Sequence, residues 1–131
     1  MMDPTPRRLI IADDSPEMRS LVRAAIGDEF GEVVEATDGR ELLWTLLRTT
    51  YAGNAEVLVV TDLCMPTYTG LDVLDAWADL ERRVPMILIT AFPSDAVRAR
   101  AKELGVLVLG KPFSMATLRD AVQQVRHEPR R

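Results

Sequence analysis

Five short runs of β-branched and aliphatic residues alternate along this chain with longer segments of helical period. The runs are Leu9-Ile10-Ile11-Ala12, Glu32-Val33-Val34-Glu35-Ala36, Val57-Leu58-Val59-Val60-Thr61, Met86-Ile87-Leu88-Ile89 and Val106-Leu107-Val108-Leu109. All but the second are almost wholly apolar, which is the pattern of strands covered on both faces. Between them, apolar residues recur every three or four positions. Met18, Leu21, Val22 and Ala25 mark a helix from about residue 16 to about residue 29. Leu42, Leu43, Leu46 and Leu47 mark a second that ends before Gly53, with Trp44 off the leucine stripe. Leu71, Leu74, Trp77 and Ala78 mark a third; Val97, Ala101 and Leu104 a fourth; Leu118, Val122 and Val125 a fifth. Helix starts are signalled by Ser15-Pro16-Glu17, Thr37-Asp38-Gly39, Pro93-Ser94 and Ser114, and Gly105 signals a stop. Strand–helix alternation of this kind implies a parallel sheet with helices on both sides, joined by right-handed crossovers.

The length of 131 residues suits one domain. The reading is a single domain over 1–131, with a core over about 7–127 and short loose termini. Hydrophobic residues at 47% and charged residues at 27% are a globular balance. No apolar run reaches bilayer length, and the opening MMDPTPRR lacks a secretory-type stretch, so membrane insertion is not expected and a cytoplasmic location is. One Cys and one His exclude a disulfide framework and a Cys/His zinc site. They also argue against a Ser-His-Asp or Cys-His hydrolase, since His127 stands among the last five residues. A net charge of −4 and 5% aromatics argue against direct nucleic-acid binding.

In open parallel sheets ligands bind outside the carboxyl ends of the strands, where the strand order reverses. At those ends this chain puts Asp13-Asp14, Asp62, Thr90 and Lys111. Carboxylates gathered there repel and call for a cation or for protons. An all-oxygen cluster without His or Cys ligands selects a hard cation such as Mg²⁺. Lysine adds a second positive charge and threonine a hydroxyl, a combination suited to a phosphoryl group. Asp62, alone at the end of the central strand, is the candidate nucleophile, and Asp13-Asp14 look like a metal pair. Each residue has a bland reading in isolation: helix capping for the Asp pair, a strand-end hydrogen bond for Thr90, solvation for Lys111. Yet all but two of the 16 basic residues are arginine, so a lysine at this spot is not the chain's default.

In order, the motifs are Asp13-Asp14, Asp62-Leu63-Cys64-Met65-Pro66 with Gly70, Thr90-Ala91, and Lys111-Pro112-Phe113. In this arrangement the chain resembles the receiver domains of two-component response regulators, and the resemblance spans nearly its whole length. It implies a flavodoxin-like doubly wound sheet of order 2-1-3-4-5 with five helices. It implies that Asp62 accepts a phosphoryl group from a histidine kinase. It implies that Asp14, Asp62 and the Cys64 carbonyl bind Mg²⁺ directly, with Asp13 acting through a bound water. Lys111, beside a cis Lys111-Pro112 bond, and Thr90 would contact phosphoryl oxygens, and the small Ala91 leaves room for them. The chain would then be a signalling phosphoacceptor rather than an enzyme, with a sensor histidine kinase or histidine phosphotransfer protein and an effector protein as partners.

One departure stands out. Gly105 to Lys111 is one residue shorter than the family pattern, and Val108 occupies the place of an aromatic that moves inward with the threonine. Two alternatives to an effector-binding regulator therefore stay open: a phosphorelay intermediate, and a vestigial receiver that binds partners without phosphorylation. A phosphatase of the aspartyl-nucleophile kind fits poorly, because Leu63-Cys64 after Asp62 offers no second Asp for acid catalysis.

Overall fold

In the structure, a computed structural model, the described residues are 7–51, 56–62, 72, 75, 76, 78, 79, 84–91 and 94–127. In chain order the elements are β1 (Arg7–Ala12), α1 (Pro16–Ile26), a 3-10 turn (Gly27–Glu29), β2 (Glu32–Ala36), α2 (Gly39–Tyr51), β3 (Glu56–Asp62), β4 (Met86–Thr90), α3 (Asp95–Leu104), β5 (Leu107–Gly110) and α4 (Met115–His127). The strands form one parallel sheet of order β2-β1-β3-β4-β5. Of the helix expected at Leu71, Leu74, Trp77 and Ala78, only Ala78 is described; it is helical, as are Asp72, Asp75 and Ala76, and the other three lie outside the described residues.

Strand alternation sorts the apolar residues into two cores, one on each face of the sheet. On one face Ile10, Ala12, Val57, Val59, Met86 and Leu88 pack with Leu42 and Leu46 of α2 and with Val97, Ala101 and Leu104 of α3. On the other, Leu9, Ile11, Leu58, Val60, Ile87 and Ile89 meet Val22, Ala25 and Ile26 of α1 and Leu118, Val122 and Val125 of α4. Burial of each large side chain contributes about 1.5–3 kcal/mol, so double coverage makes the three central strands the stable frame of the molecule.

Helix ends follow the local signals, with instructive shifts. The Ser15, Ser94 and Ser114 hydroxyls accept from the Met18, Val97 and Thr117 N–H groups. Asp38 accepts from the Glu41 N–H while the Glu41 carboxylate reaches back to the Thr37 N–H, a reciprocal cap on α2. The first helix stops at Ile26 rather than near 29, because Gly27 has low helix propensity and the last residues tighten into the 3-10 turn. The fifth strand begins at Leu107 rather than Val106. Gly105 takes the left-handed conformation (φ 72) that ends α3, and the Val106 N–H is spent on the Ala101 carbonyl at 2.8 Å. Leu47, expected on the apolar face of α2, is 36% exposed, and Trp44 is 64% exposed. The strand beneath the outer part of α2 is the edge strand β2, so the sheet offers no further strand for Leu47 to cover.

Candidate functional site

Register places the polar strand ends together. Ala12 pairs with Thr61, so the next residues, Asp13 and Asp62, leave β1 and β3 side by side where the strand order reverses. Asp62 pairs with Ile89 and Thr90 pairs with Gly110, which sets Thr90 and Lys111 on the same rim. The Lys111 N–H donates to the Thr90 carbonyl at 2.8 Å, and Lys111-Pro112 is cis. Carboxylate oxygens of Asp13, Asp14 and Asp62 all lie within 4.8 Å of one another. Asp13 is 2% and Asp62 9% exposed, while Asp14 faces solvent. Lys111 Nζ stands 3.7 Å from Asp62 Oδ1 and 3.8 Å from Asp13 Oδ2, close enough for charge pairing but longer than a hydrogen bond.

Asp13 bears the electrostatic load. Burial pushes its carboxyl above the usual range, and the Asp62 and Asp14 charges add to the rise; the Ser15 N–H on Oδ1 (2.8 Å) and the Lys111 ammonium only partly counter it. Its Oδ2 is buried without a hydrogen-bond partner among the described residues. A buried, unpartnered carboxylate oxygen inside an all-oxygen cluster fits a hard divalent cation, and no described His or Cys competes for it.

Five of the six expected site residues, Asp13, Asp14, Asp62, Thr90 and Lys111, thus converge on one rim. Cys64 lies outside the described residues, with Leu63, Met65, Pro66, Gly70 and Phe92. Thr90 is 4% exposed, and Ala91 beside it is exposed. Thr90 has the same strand parity as Leu88, on the face covered by α2 and α3. Val108, which pairs with Leu88, packs partly buried on that same face. The place of the family's aromatic is therefore filled by an aliphatic side chain seated against the core.

Sequence reading missed the residues that hold the β1–α1 turn. Arg19 Nη1 donates to the Asp13 carbonyl at 2.7 Å and Arg19 Nε to Glu35 Oε1 at 2.8 Å. The Asp13 N–H donates to the Ala36 carbonyl at 3.1 Å. A signal existed for Arg19: an arginine near a helix N-terminus opposes the helix dipole, so something must hold it there.

Comparison with known proteins agrees with this geometry. The family model described as the response regulator receiver domain matches residues 9–123. The chemotaxis protein CheY of Pseudomonas aeruginosa is 31% identical over 122 residues, which cover 90% of this chain and 94% of that protein. Sporulation initiation phosphotransferase F of Bacillus subtilis is 25% identical over 118 residues, covering 89% of this chain and 91% of that one. The structure of the chemotaxis response regulator CheY4 of Vibrio cholerae superposes with a TM-score of 0.76 at 27% identity, covering 92% of this chain and 99% of that one. No described helix is long and apolar enough to cross a membrane. Receiver domains bind Mg²⁺ through an acidic cluster of the kind found here and work with histidine kinases or phosphotransfer proteins. With sequence, topology and the acidic rim in agreement, this chain belongs to the response regulator receiver domain family, the phosphoacceptor module of two-component signalling.

Proposed function

We propose that Asp62 is the phosphoacceptor of this receiver. The observation that carries the reading is Asp62 itself, at the end of a central strand, within 4.8 Å of two further carboxylates and 3.7 Å from the Lys111 ammonium. An Asp62 carboxylate oxygen attacks the phosphorus of a phosphohistidine on a sensor histidine kinase or phosphotransfer protein. A P–O bond to Asp62 forms, the P–N bond to the donor breaks, and the imidazole nitrogen keeps the electron pair. Lys111 pairs with charge on the transferred group, and the Thr90 hydroxyl donates to one of its oxygens. Asp13, Asp14 and Asp62, with the Cys64 carbonyl, are the residues that would hold Mg²⁺. Bound there, Mg²⁺ supplies positive charge that neutralises the phosphoryl oxygens. The chain acts as a single cytoplasmic domain that assists its own phosphorylation and dephosphorylation without turning over a substrate, and the phosphorylated form changes its binding to an effector protein.

A relay role is the second reading. Val108 in place of the aromatic removes one partner of the usual inward motion, and one relative is named a phosphotransferase. Fast transfer from phosphorylated protein to a histidine phosphotransfer protein favours the relay; phosphorylation-dependent binding without transfer favours the effector.

The test of the site is intact mass after incubation with Mg²⁺ and a small acyl-phosphate donor. One phosphoryl group is expected on the wild type, none on Asp62→Asn, and none when the metal is chelated. Equal labelling of Asp62→Asn would remove Asp62 from the role.

A further inference from the structure

We infer that Arg19 is a positioning residue for the acidic cluster, fixing the peptide that carries Asp13 into Asp14. The inference rests on the cation-site reading above. Side chains in a helix lean toward its N-terminus, so Arg19 of α1 runs back over the first turn to the end of β1. There its guanidinium bridges two elements. Nη1 donates to the Asp13 carbonyl at 2.7 Å, and Nε donates to Glu35 Oε1 of β2 at 2.8 Å. Glu35 pairs in register with Ile11, two residues before Asp13, so the counter-ion that aims Arg19 comes from the strand flanking the one that bears the site.

The carbonyl contact is the decisive one. It fixes the peptide plane between Asp13 and Asp14, and that plane sets where both side chains leave the backbone. The remaining contacts of Asp13 fix the other side: its N–H on the Ala36 carbonyl and its Oδ1 on the Ser15 N–H. Only Oδ2 is left, and it faces Lys111. Three like charges repel, and a turn without the clamp relaxes by moving Asp13 and Asp14 apart. Arg19 thus holds the cluster in a geometry that repulsion opposes, as residues behind metal ligands do.

Arg23 supplies the internal comparison. It also binds Glu35, with Nε and Nη2 on Oε2 at 3.1 and 2.9 Å, but has no contact with Asp13 among the described residues. Arg19 is 15% exposed and Arg23 49%, as expected if only the inner arginine has been drawn into the site's foundation. An ion-pair role alone makes the two interchangeable; a positioning role separates them.

The experiment compares wild type, Arg19→Ala, Arg19→Lys and Arg23→Ala in the full chain. Mg²⁺ affinity is measured by titration calorimetry, and amide exchange of Asp13 and Ser15 is followed by NMR without metal. Arg19→Ala is expected to weaken Mg²⁺ binding about tenfold or more and to speed exchange at both amides. Arg23→Ala is expected to stay within about twofold of wild type in affinity, although it loses part of the same ion-pair cluster. Arg19→Lys keeps the charge but loses the fork that reaches carbonyl and carboxylate together, so it falls between, and it carries the test if the alanine variant does not fold. Equal effects of Arg19→Ala and Arg23→Ala, or unchanged affinity in folded Arg19→Ala, would overturn the assignment. Absence of Mg²⁺ binding in the wild type would instead strike the cation-site reading itself and this role with it.

Discussion

The Asp13 N–H, carbonyl and Oδ1 each have a partner, in Ala36, Arg19 and Ser15, while Oδ2 is buried with no hydrogen bond among the described residues. Its raised pKa, which persists with Lys111 alongside, means that ionised Asp13 opposes folding above its ordinary value of 3.8, a cost that a bound cation would offset. Glu35 behaves in the opposite sense. Burial alone would push its carboxyl up, but hydrogen bonds from Arg19 and Arg23 outweigh that and hold it below its ordinary value of 4.5. A depressed carboxyl contributes stability above the unfolded value and loses it as pH falls through the folded one. Glu35→Gln is therefore expected to cost about 0.5–1 kcal/mol at pH 7, a modest figure because the pair is partly solvated. That cost should vanish below the folded pKa; urea midpoints of both proteins at neutral and at strongly acidic pH check it. A difference that persists in acid would point to lost packing rather than lost charge. Among the candidate site residues, Asp13, Asp14, Asp62, Thr90 and Lys111 could be picked out in the sequence because each ends or follows a recognisable strand run. The partner of Arg19 was not legible: its place near a helix N-terminus is a local signal, but its pairing with Glu35 spans two elements.

Among the elements, starts and stops were the readable part. Ser15, Ser94 and Ser114 cap the helices that the sequence assigns to them, because a cap is a contact within a few residues of chain. Shifts of a residue or more came where two elements compete for one backbone group, as at Val106, whose N–H goes to α3 rather than β5. Gly105 decides that boundary. Its φ of 72 lies in the left-handed region, and a Cβ added there would meet nothing within 4 Å, so substitution costs backbone strain alone. Gly105→Ala is expected to lower stability by about 1 kcal/mol, seen as a lower urea midpoint at unchanged slope. Gly110→Ala, where a Cβ also meets open space and φ is not positive, is expected to stay within about 0.5 kcal/mol. Equal losses would show that the left-handed conformation of Gly105 does not separate the two positions. The face of α2 was read too broadly: Leu42 and Leu46 are buried as expected, but whether Leu47 is covered depends on how far the sheet extends beneath the helix.

For the whole molecule, the strand order β2-β1-β3-β4-β5 turns four separate strand ends into one rim. The gathered carboxylates destabilise one another, so a cation bound to the folded state alone must raise stability by mass action. At about a hundred times its dissociation constant, Mg²⁺ is expected to add about 2.7 kcal/mol. Calorimetry should show this as a rise of several degrees in Tm, much reduced in Asp14→Asn. A Tm that ignores Mg²⁺ would mean that the rim is stabilised by Lys111 and protons alone. By itself the sequence determined the alternation of strands and helices, the caps and the polar residues that follow four of the strands. These follow from side-chain period, local hydrogen bonding and composition, which need no knowledge of distant residues. The tertiary structure decided that Asp13 and Asp62 are neighbours, that Asp13 is buried with one oxygen left over, that Val108 shares a face with Thr90, and that Arg19 reaches the Asp13 carbonyl. Each depends on register or contact between segments far apart in the chain, and such contacts are set by how the two cores pack rather than by any local pattern.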